Sequence, residues 1–324
     1  MTSATVIQSA QPLAGPPLAA PTLRRLPEPR AAAELLKPVT WFPPMWAFAC
    51  GAVSAGAAAA GGRAATPAAL ALGICVAGPL VCGASQAVND WFDRHVDAVN
   101  EPARPIPSGR VPGAWGLGVA VAWSALAFGA GLWLGPAGAA ATGLALLLAW
   151  AYSAPPARLK ANGWWGNLAV GLAYEGLAWV TGAAVAAGGA LPGPRVLVLA
   201  LLYSLGAHGI MTLNDFKAVD GDRRFGVRSL PVQLGPDRAA RVACAVMLVP
   251  QLLVVALLAR WHAPGAGVAV ALLVAAQLIL MRRFLADVTP RTALGYSAFG
   301  VPFYVLGMMA AAVGLRFFAA GGAL

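Results

Sequence analysis

The 324 residues are 59% hydrophobic and 10% charged, with a mean hydropathy of +0.72 and a formal net charge of +10. That balance excludes a soluble globular domain and a disordered chain, and fits a protein that crosses a membrane many times. The apolar runs are continuous rather than alternating with polar residues, which excludes a β-barrel.

Residues 1–33 are rich in Pro and Ala and lack a charged-then-apolar leader pattern, so they read as a disordered cytoplasmic tail. Residues 34–324 read as a single transmembrane domain. A helical span needs about 20 apolar residues. Charged and Pro/Gly-rich breaks place spans near 41–61, 67–90, 113–134, 138–153, 165–188, 194–213, 239–260, 264–284 and 293–316. The expected fold is therefore all-α, a polytopic membrane helical bundle of about nine transmembrane helices. With the N-terminus in the cytoplasm, all of the 22 Lys and Arg residues except Arg63, Arg195, Arg260 and Arg316 fall on the cytoplasmic side. This bias, with attraction to anionic lipid, accounts for the net charge, and no nucleic-acid partner is implied. The four Cys residues lie inside apolar spans without metal-ligand spacing and read as packing residues.

Carboxylates are scarce, 12 in all, and six of them fall in two stretches at the ends of apolar runs: Asp90, Asp93 and Asp97, then Asp215, Asp220 and Asp222. On a helix, Asn89, Asp93 and Asp97 are four residues apart and share one face, whereas Asp90 lies about 100° from Asn89. Asp215 and Asp222, seven apart, share a face if the helix continues past Asp215; Asp220 points elsewhere. Such density of like charge calls for a cation. Oxygen donors at a water-facing helix end suit Mg²⁺, which takes a few carboxylates together with water and phosphate oxygens. Both stretches lead into basic residues: Arg94 and Arg104 after the first, and Lys217, Arg223 and Arg224 around the second. Arg158 and Lys160 end a Pro-stiffened loop that begins at Tyr152. Metal plus Lys and Arg is the combination a diphosphate requires.

These motifs resemble the UbiA superfamily of intramembrane prenyltransferases. The resemblance rests on Asn-x-x-x-Asp-x-x-x-Asp at 89–97, Arg104-Pro105-Ile106-Pro107-Ser108-Gly109-Arg110, the Pro-Pro-x-Arg-x-Lys loop and the second Asp-rich motif, and it spans about residues 34–316. Three further stretches are similar to the chlorophyll and bacteriochlorophyll synthase branch, most of all to its purple-bacterial bacteriochlorophyll members. They begin at Lys37-Pro38-Val39-Thr40-Trp41, at Asp93-Arg94-His95-Val96-Asp97 and at His208-Gly209-Ile210-Met211. The resemblance implies a central cavity open to the cytoplasmic side of a bacterial inner or intracytoplasmic membrane. It implies Mg²⁺, with Mn²⁺ as a substitute, held by Asn89, Asp93, Asp97, Asp215 and Asp222. It also implies a geranylgeranyl or phytyl diphosphate donor, a bacteriochlorophyllide acceptor, and partners among pigment-biosynthesis or photosystem-assembly proteins. Lys37, Arg104, Lys160 and Lys217 are the implied charge partners of the diphosphate, with Arg94 and Arg158 beside them. Many superfamily members carry Asp at the position of Ala218, and the chlorophyll branch shares this chain's departure.

An acceptor propionate, with a pKa of about 4.3, is already a nucleophile near neutral pH, so no side chain is needed as a catalytic base. Glu175 is the one carboxylate expected deep inside a span; it reads as a buried hydrogen-bonding group or a contact to a polar tetrapyrrole edge. His208 reads as a packed imidazole or a ligand to a tetrapyrrole metal. Rival readings are a chlorophyll synthase, a prenyltransferase for quinone or haem acceptors and, from another class, a cation transporter.

Overall fold

The computed structural model describes residues 26–55 and 66–321, with side chains described as far as 316. Among these residues every named element is helical. A short α1 (Pro29–Glu34) precedes α2 (Phe42–Ser54), α3 (Pro67–Asn100), α4 (Trp115–Leu132), α5 (Gly135–Ser153), α6 (Gly163–Ala186) and α7 (Pro194–Asp215). Short α8 (Val219–Arg224) and α9 (Leu230–Leu234) lead to α10 (Pro236–Arg260), α11 (Pro264–Ala286), α12 (Pro290–Phe299) and α13 (Val301–Gly321). Eight rods, α3 to α7, α10, α11 and the α12–α13 pair, are long and apolar enough to cross a membrane. They correspond to eight of the nine expected spans. The remaining one, 41–61, begins as α2, and its residues beyond 55 lie outside the described residues.

Proline opens α3, α7, α10, α11 and α12, where its missing N–H costs no helical bond and its fixed φ suits the first turn. The rods form a closed circuit. Neighbours in sequence pack side by side from α3 to α7 and from α10 to α13. The α7–α10 contact joins the two runs, and α13 returns to α2, which lies on the C-terminal half of α6. That α2–α6 contact depends on glycine. A Cβ on Gly51 would stand 1.9 Å from the Trp179 carbonyl oxygen, and one on Gly182 would stand 2.0 Å from that of Phe48. Small residues let membrane helices approach to backbone contact in this way.

Two rods contain π-helical turns, Val76–Cys82 in α3 and Leu172–Leu177 in α6. Such turns shift the register of the side chains that follow and often mark functional sites. Here Tyr174 of the α6 turn meets α3. Its hydroxyl bonds Ser85 (2.8 Å), accepts from Gln86 Nε2 (3.1 Å) and lies 3.2 Å from Cys82 Sγ.

Two expectations change. Residues 29–33, placed in the tail, are helical and docked as part of α1: Ala31 is fully buried, and Glu34 at the end of the helix pairs with Arg110 at 2.7 Å. Of the rest of the expected tail, Glu28 N–H bonds the Arg110 carbonyl at 3.1 Å, and residues 1–25 lie outside the described residues. The second acidic stretch is not one helix either. α7 stops at Asp215, a turn follows, and α8 starts at Val219, so Asp215 and Asp222 are brought together by a turn and not by helical register.

Candidate active site

The C-terminal end of α3, the loop after α5, the first turns of α6 and the turn between α7 and α8 enclose a polar cavity of about 610 Å³. Its wall includes Asn89, Asp93 and Asp97 from α3, Arg158 and Lys160 from the loop, and Asp215, Lys217, Ala218 and Asp222 from the turn. The two acidic stretches and the Pro-rich loop, far apart in sequence, thus face one space. A second cavity of about 400 Å³ runs on between the helices. Its wall is mostly apolar, with Val81, Leu148, Val170, Ile210 and Met211 among its residues. Asn89 and Tyr152 line both cavities and mark where they join.

The carboxylates are positioned by specific partners. Lys160 Nζ lies 2.5 Å from Asp93 Oδ1. Asp97 Oδ2 receives Arg104 Nη1 at 2.8 Å, and the same guanidinium grips Glu101 with Nε at 2.8 Å and Nη2 at 2.6 Å. Asn89 donates its side-chain amide to Ser153 Oγ at 3.4 Å. Across the cavity, Asn167 donates to Asp215 Oδ2 (3.1 Å) and Thr212 Oγ1 (3.2 Å), and Ser229 donates to Asp222 Oδ2 (2.6 Å). The two loops on this flank are stitched by backbone: Gly163 N–H donates to Arg228 O at 2.8 Å and Arg228 N–H to Ala161 O at 2.9 Å.

Burial moves the titration of the loop groups. It pushes the Lys160 ammonium below its ordinary value, while Asp93 works against that shift. Burial also opposes the Arg104 charge, but Glu101, Asp97 and Asp90 outweigh it and hold this group above the usual range. The Asp222 carboxyl is raised by burial, and the Ser229 bond partly offsets the rise. The Arg104 bond lowers Glu101.

Several expected site residues stand elsewhere. Lys37 and Arg104 do not line the polar cavity; both turn to Asp90, at 2.6 Å and 3.4 Å. Asp90, set aside for lying off the working face, is thus a buried anchor for these two cations. Its carboxylate is buried one helical repeat before Asp97, with which it shares the Arg104 guanidinium, and Lys37 takes a left-handed φ of 43° on the approach. Arg94 also leaves the site. Its Nη1 donates to the Trp91 carbonyl at 2.7 Å, and the guanidinium lies over that indole at 4.1 Å. His208 lines neither cavity; it is buried against Trp164 with ring centroids 5.6 Å apart. Glu175 lines the apolar cavity.

Attention to charge overlooked Asn167, Tyr152 and Ser229. Asn167 carried a signal, an amide in the midst of the apolar run from Trp164 to Trp179. Ser229 carried none, because only the return of the 225–229 loop brings it to Asp222.

A helical membrane bundle in which a carboxylate- and cation-lined cavity leads into an apolar one has the make-up of an intramembrane enzyme. It is built for a ligand with an anionic head and a hydrocarbon body. The chain belongs to the UbiA prenyltransferase family, which matches residues 45–299, and it is a prenyltransferase. It is 56% identical to the bacteriochlorophyll synthase 33 kDa chain of Cereibacter sphaeroides over 90% of this chain and 95% of that one. It is 38% identical to chloroplastic chlorophyll synthase of Arabidopsis thaliana, covering 86% and 73%. A UbiA homologue from Archaeoglobus fulgidus, solved bound to GPP and Mg²⁺, superposes with a TM-score of 0.68. That match covers 86% of this chain and 99% of the homologue, and at 19% identity the likeness is one of fold.

Proposed function

We propose that the chain is a bacteriochlorophyll synthase. In this reading it transfers a geranylgeranyl or phytyl group from its diphosphate to the propionate of bacteriochlorophyllide, releasing diphosphate. The observation that carries this reading is the junction of the two cavities at Asn89 and Tyr152. It sets a charged chamber suited to a diphosphate against an apolar chamber suited to hydrocarbon, in a chain 56% identical to a protein of that name.

The donor set fits Mg²⁺. Every candidate ligand (Asn89, Asp93, Asp97, Asp215, Asp222) offers a hard oxygen. Among the described residues no three of His, Cys, Asp or Glu form a ready-made metal cage. Mg²⁺ takes one or two carboxylates and completes its shell with water and phosphate oxygens, which the polar cavity has room to supply. Bound there, Mg²⁺ would neutralise charge on the departing diphosphate. The A. fulgidus homologue, solved with GPP and Mg²⁺, supports this choice of ion.

The chain's own residues do the rest. Lys160, Arg158 and Lys217 supply positive charge to diphosphate oxygens, and their charge counts for more as the allylic C–O bond lengthens and negative charge grows on the leaving group. Lys160 is held ready at Asp93 and moves only a short way to reach a ligand in the same cavity. Arg104 and Lys37 position α3 through Asp97 and Asp90. The propionate carboxylate attacks C1, the C–O bond to diphosphate breaks, and an ester forms. No proton is moved, so no base is required. The apolar cavity beyond Tyr152 keeps water from C1 as the C–O bond breaks and positive charge develops there. The N-terminus and the polar cavity lie on the cytoplasmic side of a bacterial inner or intracytoplasmic membrane. Arg195, at the start of α7, lies over Trp261, at the far end of the bundle from the carboxylates, in keeping with the charge bias.

Membranes containing the protein are supplied with geranylgeranyl diphosphate, Mg²⁺ and bacteriochlorophyllide. The expected result is an esterified pigment whose formation is lost in Asp93→Asn and Asp222→Asn at unchanged protein level. Alkylation of a quinone precursor, with no esterified pigment, refutes the proposal.

A further inference from the structure

Glu175 sits in the π-helical turn of α6, 9% exposed, on the wall of the apolar cavity. Eight residues separate it from Asn167, placing it about 12 Å deeper along the helix. Its polar neighbours on the α3 side of this wall are occupied: Ser85 and Gln86 each bond the Tyr174 hydroxyl, and Asn89 bonds Ser153. Among the described residues no other side chain bonds the Glu175 carboxyl; its own backbone N–H is the one donor turned to it, which leaves further acceptor and donor capacity facing the cavity. The cations of the site all belong to its mouth.

A carboxyl group at this depth is costly unless something bonds it. A prenyl tail is hydrocarbon and offers it nothing. Filling the cavity with prenyl alone would bury an unsatisfied polar group beside the ligand. A ligand with oxygen functions set around a flat apolar body would satisfy it.

We infer that Glu175 is a specificity-determining residue that hydrogen-bonds an oxygen function on the rim of the acceptor macrocycle, so that this wall of the apolar cavity belongs to the acceptor. The inference rests on the proposed function, since it needs a macrocyclic acceptor. The acid donates to a rim carbonyl, or the carboxylate accepts from a rim hydroxyl. Glutamine can replace both roles and leucine neither.

The test uses the full-length protein in lipid nanodiscs. Its ligands are chlorophyllides paired so that members differ in one rim function, acetyl against vinyl or keto against methylene. Binding is read from pigment fluorescence and esterification is followed separately. Wild-type protein should bind one oxygenated member about tenfold more tightly than its hydrocarbon partner, the usual worth of one such bond. Glu175→Leu should erase that preference and leave geranylgeranyl diphosphate affinity unchanged, and Glu175→Gln should keep most of it. Wild-type protein that binds both members of every pair equally overturns the inference, even if Glu175→Leu fails to fold. So does a Glu175→Leu protein that loses prenyl diphosphate binding but still discriminates between pigments. Failure of the parent reading looks different: wild-type protein then esterifies no chlorophyllide, whatever its rim.

Discussion

Asn167 illustrates how much of this site lies one bond away from the carboxylates. Its amide is the sole side-chain partner of Asp215 among the described residues and also bonds Thr212. Asn167→Ala should leave the fold intact and free Asp215 to rotate. The expected result is a turnover at least tenfold lower at fixed Mg²⁺ and a higher Mg²⁺ concentration for half-maximal rate, both read from a metal titration. Ala218 offers the converse experiment. It lines the polar cavity at the turn after α7, where its side chain meets open space shared with Asp222. Ala218→Asp adds an oxygen donor there and should lower the Mg²⁺ concentration needed for half-maximal rate; an unchanged requirement would place the metal away from this turn. The sequence made the carboxylates legible because they are rare in an apolar chain. It did not separate ligands from anchors. Asp90 and Asp93 are three residues apart, yet one holds Lys37 and Arg104 while the other faces the cavity beside Lys160. That difference is set by which cations the neighbouring segments bring to each carboxylate, Lys37 and Arg104 to one and Lys160 to the other, and only the packed bundle decides it.

At the scale of the helix, hydropathy located the spans well because each rod is a single apolar run bounded by charge or proline. It could not see that the helix stops at Asp215. Asn214 to Asp222 has no proline, and one glycine at 221 is a weak stop signal. The break arises from the turn that carries Lys217 and Ala218 into the cavity. Nor does hydropathy see backbone contact. Gly182→Ala places a methyl group where the Phe48 carbonyl oxygen stands, so α2 must retreat from α6. Overpacking of this kind costs about 1–3 kcal/mol. The expected outcome is a lower midpoint of thermal unfolding in detergent, with Gly51→Ala doing the same from the opposite side. The buried amide pair of Gln251 and Gln277, which bond each other at 2.8 Å and 3.2 Å, fixes α10 against α11. Gln277→Leu strands one partner inside the bundle and should be more damaging than replacing both by leucine.

For the whole molecule, the charge asymmetry and the cavities point the same way. Every Lys and Arg near the polar cavity lies at the end of the bundle opposite Arg195 and Trp261, so that cavity opens on the positively charged side. Chelation of divalent ions with EDTA should abolish turnover without lowering the unfolding midpoint appreciably, because the rods are held by packing and not by the metal. Added Mg²⁺ should restore the rate. Unfolding on chelation alone would show instead that the metal is structural.

The joining of two unlike chambers at Asn89 and Tyr152 has a consequence for what happens after the bond is made. Before transfer, both reactants carry an anion, one at the diphosphate and one at the propionate. After transfer the ester is uncharged and the whole of the negative charge resides on the released diphosphate. The products therefore differ in the solvent they prefer far more than the reactants did. A junction that opens to water on one side and to hydrocarbon on the other separates them by partition. The diphosphate belongs with the polar chamber and the ester with the apolar one, so neither has to pass the other to clear the site.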